Sequence, residues 1–129
     1  MVRPLFTANA TKPFSAYSQA IEVEAGARLV FVSGQVGADP EGKLGDTERR
    51  QHQLAWANVF AIIEAAGLTR ENLVEATVYI TDPGSVGLYR EVRDRALNGT
   101  RPAMTLLVVS GLADARFKVE ISAVAAGQA

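Results

Sequence analysis

The side chains able to move protons or attack a substrate are few in this chain, and their types exclude most catalytic schemes. His52 is the only histidine, and there is no cysteine. Thiolate catalysis, disulfides and zinc–thiolate sites are therefore excluded. No second histidine or carboxylate accompanies His52 at ligand spacing, so no metal site is expected. Ser33 sits in Ser33-Gly34-Gln35, which is not a nucleophile elbow, and no histidine base is near it in sequence. No glycine-rich phosphate loop is present. No cofactor is expected. His52 lies on or beside an apolar stripe of helical period and reads as structural. Arg90 stands four residues before Asp94, the spacing of an exposed helical ion pair. Glu120, between Val119 and Ile121, is a carboxylate at the polar parity of a strand. Met104, just ahead of the run Leu106-Leu107-Val108-Val109, reads as core or interface packing.

These residues must be held by a small set of elements. Residues 18–24 alternate loosely and end at Ala25-Gly26. Residues 29–32 form a short β-branched and aromatic run that flows into Ser33-Gly34-Gln35. Gly34 at a strand end implies close approach of another group. A helical period holds over residues 46–66, with His52, Trp56, Val59, Ile63 and Ala66 inward, Asp46 as N-cap and Gly67 as stop. Val74, Ala76, Val78 and Ile80 then alternate with polar residues as a strand. A second helix, residues 85–97, carries Val86, Tyr89, Val92 and Ala96 inward and ends at Asn98-Gly99. Strands over residues 103–109 and 117–126 follow, the latter with Phe117, Val119, Ile121 and Ala123 on one face.

The length of 129 residues suits one domain spanning residues 1–129, with no linker or repeat. The order of elements predicts an α+β fold, with one mixed sheet of about six strands and two helices on one face. The strand over 103–109 is apolar at both parities, as strands covered on two faces are. Two helices cover only one face, so a symmetric homo-oligomer is expected. A net charge of −1 gives no steering toward nucleic acid or an anionic membrane, and neither is an expected partner. No apolar run approaches the length of a membrane span. The first residues lack the apolar stretch of a signal peptide, so a cytoplasmic location is expected.

Five segments in order resemble the RidA (YjgF) family of enamine/imine deaminases. They are Pro13-Phe14-Ser15-Ala16-Tyr17-Ser18-Gln19-Ala20; Phe31-Val32-Ser33-Gly34-Gln35; a helix with Gln51, Ala55, Asn58 and Glu64-Ala65-Ala66-Gly67; Pro102-Ala103; and Val119-Glu120-Ile121. The resemblance covers nearly the whole chain. It implies the chorismate mutase-like fold and a homotrimer with a cleft at each subunit boundary. In such clefts an imine or enamine carboxylate binds, held by a signature arginine, while a glutamate activates water. By position Glu120 matches that glutamate and Tyr17 the pocket tyrosine, giving these two the catalytic assignments. Ser33, Gly34, Arg90, Met104, Thr105 and Leu106 are the implied ligand-binding positions. Arg90 falls where many members carry an asparagine.

Met104 stands where the signature arginine is expected. A guanidinium offers a charged planar fork to a carboxylate; a thioether offers apolar bulk and a weak acceptor. Losing a charge-assisted partner costs about 1.5–3 kcal/mol, or roughly ten- to a hundredfold in affinity. Arg101, three positions away, points to the other side of an extended strand. Turnover of ordinary imino acids is thus expected to be weak. Three functions compete. One is a hydrolytic deaminase of altered substrate choice, which requires either a substrate without a carboxylate or another cation in the cleft; its small-molecule partner would be an imine/enamine or a carboxylate. Another is a non-catalytic metabolite-binding trimer. The last is a ribonuclease, disfavoured by near-neutral charge and a single helix-borne histidine.

Overall fold

The computed structural model describes residues 2–129. Six strands and two helices follow one another as β1 (Val2–Leu5), β2 (Ala20–Val23), β3 (Arg28–Val36), α1 (Glu48–Ala65), β4 (Leu73–Ile80), α2 (Val86–Leu97), β5 (Ala103–Val108) and β6 (Val119–Gly127). The main sheet has the order β3-β6-β4-β5. Only the β4–β5 pair is parallel, as the intervening helix requires; β6 runs antiparallel to both its neighbours. The β1–β2 ribbon joins the β5 edge through a parallel bridge from Ser18 to Ala103. The fold is the expected α+β arrangement of a mixed six-stranded sheet with two helices on one face.

Alternation explains the core. Ala76, Val78 and Ile80 of β4 and Val119, Ile121, Ala123 and Ala125 of β6 are buried against Trp56, Val59 and Ile63 of α1 and Tyr89 and Val92 of α2. Val74 was expected on that inward face, but Leu73 takes its place. The β4–β6 register shifts between Leu73 and Glu75. The extra residue of this bulge reverses the alternation, because side chains in a strand have a period of two. β6 starts at Val119 rather than at Phe117, whose amide instead closes a turn onto the Asp114 carbonyl at 3.0 Å.

The helix ends follow local chemistry. Thr47, not Asp46, caps α1: its hydroxyl accepts from the Arg50 amide at 3.0 Å. Only the residue immediately ahead of the first helical turn can reach that amide. Gly67, at φ +77°, ends the helix as expected, with its amide on the Glu64 carbonyl. In α2 the inward set differs from expectation. Tyr89 and Val92 are buried, but Arg93 and Leu97 join them, while Val86 and Ala96 are only partly covered.

The opposite face of the sheet is open. Phe31 is 74% exposed, Leu29 is exposed beside it on β3, and Leu107 is exposed on β5 at the other edge. Met104 and Leu106, by contrast, pack on the helix side, in register with Ala76 and Val78. The two parities of β5 therefore meet different surroundings within the protomer.

Candidate functional site

A pocket opens on the helix side, at the β5 edge of the sheet. Its floor is Met104 and Leu106. One wall is the loop bearing Phe14, Ser15 and Tyr17, and the other is the Tyr89, Arg90 and Arg93 face of α2. The volume is about 230 Å³. The loop is stitched to the start of β5 by Ser18. The Ser18 amide donates to the Pro102 carbonyl at 3.1 Å, and its hydroxyl donates to the Arg101 carbonyl. The loop also holds itself in place. The Phe14 amide donates to the Tyr17 phenol oxygen at 3.1 Å, and the Tyr17 amide to the Ser15 carbonyl at 3.0 Å.

Arg93 is the buried charge of the pocket lining. It is 1% exposed, and its guanidinium lies 5.1 Å from the centre of the Tyr89 ring. Its Nε donates to Asp94 Oδ1 at 3.0 Å. Its Nη1 donates to Ser15 Oγ at 3.1 Å and to the Tyr89 hydroxyl at 3.4 Å. Burial pushes the Tyr89 phenol above its ordinary pKa, and the neighbouring Arg93 charge opposes that shift. Sequence reasoning missed Arg93. The signal was its spacing: Tyr89, Arg93 and Leu97 recur every four residues, so the arginine lies on the buried stripe.

The expected site residues fall into two groups. Tyr17, Arg90, Met104 and Leu106 line this pocket together, with Arg90 exposed at its rim. Arg90 does not pair with Asp94 as its spacing suggested; Asp94 turns instead to the adjacent Arg93. Arg101 lines a separate depression beside Val2 and Pro4.

Ser33, Gly34, Glu120 and Thr105 lie elsewhere. Ser33 and Gly34 are exposed at the point where the β3–β6 register shifts. The Glu120 carboxylate packs directly over Gly34. Thr105, in register with Thr77, points to the open face of the sheet. Glu120 alternates with the buried Val119 and Ile121, so it too faces that way. One protomer thus carries the two groups back to back across one sheet.

His52 is fully buried on α1, 3.9 Å from a Glu48 carboxylate oxygen. Burial lowers its pKa, opposed by the Glu48 charge. Among the described residues no group of three or more His, Cys, Asp or Glu is placed to hold a metal ion. Among the described residues no helix is long and apolar enough to cross a membrane.

The family model described as Endoribonuclease L-PSP matches residues 7–127. The chain belongs to the RidA/YjgF family. A RutC family protein of Aquifex aeolicus is 46% identical over 82 residues, which make up 63% of each chain. The 2-iminobutanoate/2-iminopropanoate deaminase of Mus musculus is 34% identical over 92% of this chain and 87% of its own. A Yersinia pestis structure described as a protein of unknown function of the conserved Rid family superposes with a TM-score of 0.85 at 25% identity, covering 96% of this chain and 97% of that one. In this chain the apolar Met104 lies on the pocket floor and the guanidinium-bearing Arg93 on the facing helix.

Proposed function

We propose that this RidA-family chain is a hydrolytic imine/enamine deaminase of altered substrate choice, working as a homotrimer with its site between subunits. The back-to-back placement of the two residue groups carries this reading. The pocket at Tyr17 and Met104 needs a carboxylate from outside the protomer to activate water. The Glu120 side of the sheet needs a pocket and a cover for Phe31 and Leu107. A cyclic assembly that seats one protomer's open face beside the next protomer's pocket meets both needs with one contact.

The chemistry asks little of such a site. The oxygen of water bonds to the C=N carbon while Glu120 accepts one of its protons. The π electrons move to nitrogen, which takes that proton back from Glu120; the carbinolamine then loses its C–N bond as its hydroxyl proton passes by way of Glu120 to nitrogen, releasing ammonia and a carbonyl product. Tyr17 and Ser15 supply polar contacts at the pocket wall.

The reading is tested by ammonia release from enzymically generated imines, both carboxylate-bearing and neutral, with wild type and Glu120→Gln. Turnover above the uncatalysed rate that Glu120→Gln loses supports it. No turnover on any imine, or turnover that Glu120→Gln retains, refutes it. Light scattering that gives a monomer mass at micromolar concentration refutes the assembly.

One observation favours the non-catalytic alternative: within the protomer no carboxylate lines the pocket. In that case small metabolites bind and Glu120→Gln leaves their affinity unchanged. The near-neutral charge of the chain supports a small-molecule ligand over RNA.

A further inference from the structure

We propose that Arg93 on α2, rather than any residue of β5, is the cation that holds the ligand of this pocket, and that the ligand is a small monocarboxylate with an apolar body. The proposal deepens the reading above. It rests on this pocket being the ligand site, but not on turnover.

The guanidinium has more donors than acceptors around it. Five N–H groups radiate from it. Nε is taken by Asp94, and the two Nη1 protons are taken by Ser15 and Tyr89. Nη2 lies 2.9 Å from Asp94 Oδ1, but off the line of its N–H bonds. The contact is ionic, and this buried nitrogen has no hydrogen-bond partner among the described residues. Burying charged donors without acceptors is costly, and such groups are normally paired. Asp94 is a weak neutraliser, because its side chain is 52% exposed and its field is screened by water. Arg93 thus lines the pocket with a guanidinium that its neighbours satisfy only in part, and such a group favours an anion there.

The lining decides the rest. No Asp or Glu faces the pocket, and Arg90 adds a second positive charge at the rim. Cationic ligands are disfavoured. Met104, Leu106 and Phe14 present an apolar surface, which suits a hydrocarbon portion, and Arg90, exposed to water at the rim, offers a second carboxylate only a screened contact. A volume of about 230 Å³ is below the roughly 300–1,000 Å³ of pockets that take drug-sized ligands. Met104 then has a defined task. It fills the place from which a strand residue would reach the ligand and lets the carboxylate lie toward the helix.

The test is an NMR titration of the full chain with propionate and with its neutral counterpart propionamide, at low ionic strength. Wild type should show shifts at Ser15, Arg93 and Met104 and prefer propionate by about tenfold or more. Arg93→Met should abolish the preference, and Arg93→Lys should keep part of it. Asp94→Asn, which removes the competing carboxylate, should tighten propionate by about two- to fivefold. The proposal is overturned if wild type shows no preference, if the shifts map elsewhere, or if Arg93→Met keeps the preference. If Arg93→Met does not fold, Asp94→Asn decides: propionate bound no more tightly than by wild type overturns the proposal. Binding is read without catalysis, so the two readings separate. Preference intact with no ammonia release fails the deaminase alone. Ammonia release with an unchanged KM in Arg93→Met fails the role of Arg93 alone.

Discussion

Glu120 and Gly34 are in such close contact that a Cβ on Gly34 would lie 2.0 Å from Glu120 Oε2. The glycine leaves the space that the carboxylate occupies, and any side chain there must push the carboxylate away. The obstructed atom is the far end of a flexible side chain, so the movement is cheap for the fold and costly for the geometry of the carboxylate.

Gly34→Ala should therefore separate stability from turnover. A displacement of about 1 Å at a catalytic group is worth roughly 10²-fold in rate. Ammonia release should fall by about that factor, while a thermal melt stays close to wild type. Equal losses in both measurements would show that Gly34 serves the fold alone.

The loop that carries Tyr17 depends on the phenol oxygen accepting from the Phe14 amide at 3.1 Å. Tyr17→Phe removes that acceptor. Urea unfolding should show a loss of about 0.5–1.5 kcal/mol, toward the low end because Phe14 is exposed to water. Propionate binding should weaken with it as the loop loosens. A variant identical to wild type in both measurements would mean that the loop is held by Ser18 alone.

The start of α1 offers a paired control. Thr47→Ala deletes the side-chain acceptor for the Arg50 amide and should cost about 0.5–2 kcal/mol. Asp46→Ala, one residue earlier, should stay within about 0.5 kcal/mol of wild type. Urea melts of the two variants side by side check the assignment of the cap, and a reversal of the two effects would return the cap to Asp46.

Much of this was legible in the sequence. Periodicity alone located both helices, because Trp56, Val59 and Ile63 repeat at helical spacing and two glycine-bearing turns bound them. β4 and β6 announced themselves by strict alternation. Other features had no local signal. β1 is an edge strand of four residues containing Pro4, and it exists only because β2 offers it partners. The inward turn of Leu73 in place of Val74 depends on a bulge set by β6. Arg93 was hidden by its charge: arginine is normally exposed, and only the packing of Tyr89 and the Phe14–Tyr17 loop over α2 reveals it as buried. The resemblance located Tyr17, Met104 and Glu120, but it did not reveal that a single protomer keeps them on opposite faces.

The pH dependence of stability should report His52. Its folded pKa is lowered, first by burial, with Glu48 opposing and Arg49 adding. The unfolded chain therefore takes up a proton near pH 6.5, where the folded chain does not. The stability that neutral His52 contributes is fully present above that pH and declines as pH falls toward the folded value. Urea unfolding of wild type at pH 8 and pH 5 should differ more than that of His52→Leu. Equal pH slopes for the two proteins would contradict a buried neutral imidazole.

The two faces of the sheet also have a genetic consequence. In the proposed ring every protomer serves two clefts at once, giving its pocket to one neighbour and its Glu120 to the other. A chain defective only at Arg93 holds its substrate weakly, and a chain defective only at Glu120 lacks the proton acceptor. Co-expressed, they form mixed rings, and each such ring has one boundary where an intact pocket meets an intact carboxylate. Two defective alleles should thus complement each other when present in the same cell. Lesions placed on the same face, at Glu120 and Gly34 for example, should not.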